Sequence, residues 1–144
     1  MKDLDSRSYP DRPIVSAGAV IIEDERVLLV RRATEPLQGE WSVPGGAVEL
    51  GETLRAAAAR EAREECGLTV RATDVLGVYD SIFPDASGKP QFHYVLIDFL
   101  CRVTGGELRA SGDAADARWF AREELIALNL RPSILEVIGK GFGS

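Results

Sequence analysis

Apolar residues first cluster from Ile14 to Ile22, as IVSAGAVII, and recur after the acidic triplet Glu23-Asp24-Glu25 as Val27 to Val30 between Arg26 and Arg31. Two short apolar runs on either side of a polar turn predict a strand pair closed by a tight connection. Trp41-Ser-Val-Pro-Gly-Gly-Ala-Val-Glu is interrupted by Pro44, Gly45 and Gly46, so the backbone must bend there. Thr53 to Glu65 is dense in Ala, Arg and Glu and is followed by Gly67, which predicts one helix with a glycine stop. Leu68 to Val78 and Gln91 to Val103 read as strands, with FPDASGKP between them as a loop and Gly105-Gly106 as a further turn. Ala117 to Phe120 reads as a short strand, and Arg122 to Leu128 and Pro132 to Lys140 as helices, Pro132 falling in a first turn. Strands interleaved with two or three helices predict an α/β architecture, a mixed sheet sandwiched between helices.

Length sets the organisation: 144 residues suit one domain. Residues 1–13 are polar and carry Pro10 and Pro13, so they read as a poorly ordered N-terminal arm, leaving residues 14–144 as the domain. They contain no apolar run of the kind that forms a signal-peptide core, and no later stretch has the length of a membrane span, so a cytoplasmic location away from membranes is expected. The balance of 17 basic against 23 acidic residues gives a net charge of −6, which disfavours a nucleic-acid polymer as partner. Cys66 and Cys101 have no partner at metal-ligand spacing and read as reduced core thiols.

The candidate chemistry lies on the predicted helix. At about 100° per residue, Glu61, Glu64 and Glu65 fall within one arc of about 100°. Three carboxylates so close call for a counterion. A hard divalent cation such as Mg²⁺ or Mn²⁺ would bridge them to substrate phosphates, whereas Arg60 and Arg63 could instead pair with Glu64 and Glu65 on a solvated face. Beyond the helix, Asp113 and Asp116 are candidate bases or plain turn residues, and Phe83, Phe92 and Tyr94 could stack on a base or pack in the core. His93 could contact phosphate, Arg31-Arg32 could meet a ribose phosphate, and Trp41 and Trp119 read as core or pocket wall.

The segment GAVELGETLRAAAAREAREECGL, from Gly46 through Glu52, Arg60, Glu61, Ala62, Glu64, Glu65 and Gly67 to Leu68, resembles the signature of the Nudix hydrolases. Its one soft position is Ala62, where a larger aliphatic residue is usual. The resemblance implies a Nudix-type α/β/α sandwich and metal-dependent hydrolysis of a nucleoside diphosphate linked to another moiety. It further implies Glu61, Glu64 and Glu65 as ligands of Mg²⁺ or Mn²⁺ together with the Gly45 carbonyl, and Arg60 as the residue that orients a helix glutamate. Glu61, Glu64 or Asp113 would be the general base, with Gly46, Glu52 and Gly67 in support; Gly45 and Gly46 would let the loop backbone approach the helix. Pro84, 16 residues after Leu68, resembles a proline of the ADP-ribose pyrophosphatases, as do the stretches around His93, Gly105 and Trp119. ADP-ribose, cleaved to AMP and ribose 5-phosphate, is therefore the expected substrate. A nucleoside triphosphate pyrophosphohydrolase and a non-catalytic ADP-ribose sensor are the alternatives, and the family's habit makes a homodimer an assembly to test.

Overall fold

The computed structural model describes residues 7–143. Strand β1 (Ile14–Glu23) is apolar on both faces because it has a neighbour on each side and a helix against each face. It pairs in parallel with β6 (Pro90–Gly106) and antiparallel with β4 (Gly45–Ala47), and its far end forms the expected hairpin with β2 (Arg26–Arg32). Strand β5 (Leu68–Pro84) lies outside β6, while β3 (Trp41–Ser42) and β7 (Ala114–Ala121) flank β2. The result is a seven-stranded mixed sheet.

The period of two along these strands divides the core. Ala17, Ala19 and Ile21 of β1, with Leu28, Phe99 and Cys101, pack against Ala57, Ala58, Ala62 and Cys66 of helix α1 (Leu54–Cys66). The alternate residues Val20, Ile22, Val27, Leu29 and Leu100 pack against Val137 and Ile138 of helix α2 (Pro132–Phe142). Alanines on α1 bring its backbone close to the sheet. Thr53 caps α1 by accepting from the Ala56 N–H at 3.1 Å, so the helix starts one residue later than expected. Gly67 ends it in the left-handed region at φ 75°, where any side chain would also strike the Glu107 carbonyl.

Three expectations change. The strands β5 and β6 run to Pro84 and from Pro90, so the loop between them shrinks to residues 85–89. Asp85 holds that turn, its carboxylate accepting from the Ser87 and Lys89 N–H groups at 2.9 and 3.0 Å. Bulges between Ala72 and Gly77 and a polar outer face hide the length of β5 from an alternation test. Arg122–Leu128 winds as a 3₁₀ segment, stopped by Asn129 at φ 56°. Finally, the described part of the arm docks on this hairpin: the Tyr9 N–H donates to the Gln91 carbonyl and the Tyr9 hydroxyl to Asp85, each at 2.7 Å. Residues 1–6 of the arm lie outside the described residues. Both cysteines are free and buried, and burial pushes the Cys66 and Cys101 thiols up to about 11 and about 12.

Candidate active site

Helix α1 presents its carboxylates in three different settings. Glu61 has no exposed surface and Glu65 is 5 % exposed, whereas the Glu64 side chain is 46 % exposed. A charge as deeply placed as Glu61 requires a partner, and Arg60 is one. Its Nη1 lies 2.8 Å from Glu61 Oε2 and 3.1 Å from Glu64 Oε1. Its Nε and Nη2 fork onto Glu52 at 2.7 and 2.8 Å, and Nη2 also donates to the Ala47 carbonyl at 3.0 Å. The fork on Glu52, reinforced by Glu61 and Glu64, raises the guanidinium above its ordinary range despite partial burial. Arg60 thus ties the loop before the helix to two of the three helix carboxylates. The surface-pair alternative holds for Arg60 with Glu64, at 3.1 Å, whereas Arg63 turns to the Thr69 hydroxyl at 3.4 Å.

Strand β4 approaches from the other side. The Ala19 N–H bonds to the Pro44 carbonyl and the Val48 N–H to the Val15 carbonyl, so alternation turns the polar groups of Gly45 away from β1. The outward Gly45 N–H donates to Glu65 Oε1 at 3.2 Å. A Cβ at Gly45 would stand 2.8 Å from the Ala17 carbonyl oxygen, so the close backbone approach that needs this glycine is to β1 rather than to the helix. Gly46 sits beside it, paired with Ala17.

The loop before β7 closes the helix end. The Arg109 N–H donates to the Cys66 carbonyl at 2.9 Å and the Ser111 N–H to the Glu65 carbonyl at 3.0 Å, while the Ser111 hydroxyl bonds to the Glu64 carbonyl. These bonds satisfy carbonyls that a helix end leaves over, and they set Asp113 on the wall of the cavity that Gly45 and Glu65 also line. Asp116 is engaged elsewhere, accepting from the Ala117 N–H and pairing with Arg118 at 2.9 Å. Among the described residues no three His, Cys, Asp or Glu side chains converge on one point. Of the expected ligands Glu65 and Gly45 line the cavity and Glu61 and Glu64 do not, yet the donors that Glu61, Glu64, Glu65 and the Gly45 carbonyl offer are all hard oxygens, the chemistry that Mg²⁺ and Mn²⁺ select.

The cavity holds about 310 Å³, and Gly45, Glu65 and Asp113 line it together with Phe83 and Ile134. Of the proposed stacking residues, Phe83 and Tyr94 line it, whereas Phe92 is buried edge-on against Phe83, ring centres 6.4 Å apart. Arg32 reaches the cavity, where burial lowers its pKa, while Arg31 lies over Trp41. His93 and Pro84 are not on its wall; Pro84 is exposed at the hairpin end opposite Pro90. Trp41 packs edge-on against Phe120 at 5.1 Å, and Trp119 packs on the α1 side of the core. The reading of the sequence missed Asp98, 7 % exposed on the cavity floor, whose carboxyl burial pushes up to about 6. Its only signal was one acid inside an apolar strand.

A sandwich of this kind, with an arginine-tied carboxylate helix at the mouth of a cavity, defines the class of fold and site. A NUDIX domain profile matches residues 12–138, and the chain belongs to the Nudix family as a pyrophosphohydrolase. It is 42% identical over 119 residues to an ADP-ribose pyrophosphatase of Methanocaldococcus jannaschii, covering 83% of this chain and 68% of that one. It is 35% identical over 107 residues to an 8-oxo-dGDP phosphatase of Mus musculus, covering 72% of this chain and 30% of the other. The crystal structure of a MutT NUDIX hydrolase from Burkholderia pseudomallei superposes with a TM-score of 0.73 at 30% identity, over 90% of this chain and 98% of that one.

Proposed function

We propose that the protein hydrolyses ADP-ribose to AMP and ribose 5-phosphate. The observation that carries this is the continuity of one surface. Glu65, Gly45 and Asp113 line the same cavity as Phe83 and Tyr94, which suits a diphosphate at the carboxylates and a nucleoside along the aromatics. The similarity to an ADP-ribose pyrophosphatase supports the choice.

In this reading Glu61, Glu64, Glu65 and the Gly45 carbonyl hold Mg²⁺ or Mn²⁺. When bound, such an ion neutralises diphosphate charge and eases deprotonation of water. Glu64 or Glu61, or Asp113 from the facing loop, takes the proton from the attacking water. The water oxygen forms the new bond to one phosphorus as the bridging P–O bond breaks, and the electron pair leaves with the other phosphate. Arg60 acts by position, fixing Glu61 and Glu64 while Glu52 holds its fork. Gly46 shapes β4 and Gly67 ends the helix. Residues 14–144 form this catalytic unit with residues 1–13 as an arm, cytoplasmic in location and acting on a small nucleotide derivative.

The second reading is release of pyrophosphate from nucleoside triphosphates; the similarity to an 8-oxo-dGDP phosphatase supports it only as far as a free nucleotide as substrate. A non-catalytic sensor fits less well, because every signature carboxylate is present. Product analysis by ion exchange, after offering ADP-ribose and a panel of triphosphates with Mg²⁺ or with chelator, separates them. AMP from ADP-ribose only with metal is the expected result; preferential pyrophosphate release from a triphosphate would overturn the substrate choice. Light scattering that shows only monomer at high concentration would remove a homodimer from the account.

A further inference from the structure

Asp98 lies on the cavity wall from the central strand β6, 7 % exposed where Asp80 of β5 is exposed, and no hydrogen bond reaches it from the described residues. The sheet makes room for it. Its ladder neighbours on both sides are glycines, Gly18 on β1 and Gly77 on β5. A Cβ on Gly18 would overlap Asp98 Oδ1, so the carboxylate leans over β1; a Cβ on Gly77 would stand 2.6 Å from the Tyr79 ring, which covers that side. A side chain at Gly18 would fill the notch that the carboxylate occupies, and one at Gly77 would displace the ring beside it.

The position decides what it can bind. Gly18 pairs on its other side with Gly45, so Asp98 and Gly45 are two strand spacings apart, roughly 10 Å between backbones, and the lean of Asp98 shortens that. Further from Gly45 along β6 come Leu96 and then Tyr94, both on the cavity wall, with Tyr94 about 13 Å from Asp98. A ligand with its diphosphate at Gly45 therefore meets Asp98 with the first group beyond the phosphates, and its base lies further on toward Tyr94 and Phe83. That first group is a sugar. A carboxylate repels phosphate and accepts from two neighbouring hydroxyls at once, the way acidic residues hold ribose in dinucleotide sites.

We infer that Asp98 accepts hydrogen bonds from the vicinal hydroxyls of the pentose next to the diphosphate, so that the protein selects ribose over deoxyribose. The inference rests on the proposed function for where the diphosphate lies. A buried carboxylate without a protein partner is costly, and two hydroxyl donors are what would repay it. Rejection of a ligand that lacks one of them follows from leaving a buried acceptor unmet.

The test is calorimetric binding of AMP and of 2′-deoxy-AMP in Mg²⁺, beside kcat/KM for ADP-ribose and for ATP against dATP, in wild type, Asp98→Asn and Asp98→Ala. Wild type should prefer the ribo form about 10- to 100-fold. Asp98→Asn, which keeps one acceptor, should lose part of that preference and Asp98→Ala essentially all of it, with the change in Kd and KM rather than kcat. Gly18→Ala, which displaces the carboxylate, should act like Asp98→Ala. A ribo preference that survives Asp98→Ala, or a wild type that shows none, overturns the inference even if a variant fails to fold. If ADP-ribose is not hydrolysed yet the preference depends on Asp98, the proposed substrate falls and the sugar contact stands. If ADP-ribose is hydrolysed without such dependence, the sugar contact falls alone.

Discussion

Replacing Arg60 by alanine is the perturbation whose cost the structure fixes best. The guanidinium is 22 % exposed and faces Glu61, which has no exposed surface, at 2.8 Å, with a two-pronged bond to a Glu52 side chain only 15 % exposed. Removing one member of a buried ion pair costs about 3–5 kcal/mol, because the remaining charge keeps its desolvation penalty. The half-exposed contact to Glu64 adds about 0.3–0.5 kcal/mol. Arg60→Ala should therefore lose about 4 kcal/mol, a large part of the roughly 5–15 kcal/mol that holds a domain of this kind together. Urea unfolding followed by the fluorescence of Trp41 and Trp119 measures it, with an unchanged slope against denaturant confirming that only stability moved. Arg60→Lys keeps the charge but not the planar fork and should fall between the two. In the double variant Arg60→Ala/Glu61→Gln, neutralising the buried carboxylate should return part of the loss. A loss under about 1 kcal/mol, the scale of surface pairs, with no recovery in the double variant, would refute this reasoning.

Other outcomes follow from single sites. Asp98 has a folded pKa of about 6 against 3.8 for an ordinary aspartate; raised pKa means the folded state holds the proton longer, so its share of stability falls as pH rises from about 4 to 6 and stays low above. About two units at 1.36 kcal/mol each put that at about 3 kcal/mol, so Asp98→Asn should be more stable than wild type in chemical melts at pH 7.5 and no more stable at pH 4. Gly67→Ala, at φ 75° and against the Glu107 carbonyl, should cost more than about 1 kcal/mol in a thermal melt; an unchanged melt would contradict the cap. Phe99→Ala, in the fully buried layer under α1, should cost about 3–5 kcal/mol.

The parts of this protein that declare themselves in sequence are those whose cause is local. Thr53 and Gly67 bound α1 by hydrogen bonds and dihedral angles that those residues alone bring. The hairpin at Glu23–Arg26 is equally local, with Asp24 and Glu25 turning at φ 49° and 60°. The carboxylates of α1 share an arc, yet the helix does not show that Glu61 is buried and Glu64 half exposed; that comes from the sheet and loops it packs against. The cavity was not legible because its wall is set by register. Asp98 meets Gly18 and Gly77 only once β6 has aligned with β1 and β5. Asp113 and Asp116, alike in sequence, separate because Ser111 ties the loop to the helix end and Arg118 claims Asp116. Phe92 and Phe83, partners across the β5–β6 ladder, differ only in cover: Phe92 is buried and Phe83 borders the cavity.

The claim that the carboxylate helix performs the hydrolysis is tested most directly at Glu64, since its half-exposed side chain can change without disturbing the core. The measurement is kcat of Glu64→Gln on ADP-ribose in Mg²⁺, with the thermal melt recorded beside it. The account predicts a loss of about 10³-fold with a melt close to wild type. A folded Glu64→Gln enzyme that turns over within tenfold of wild type, with the same metal requirement, would contradict it.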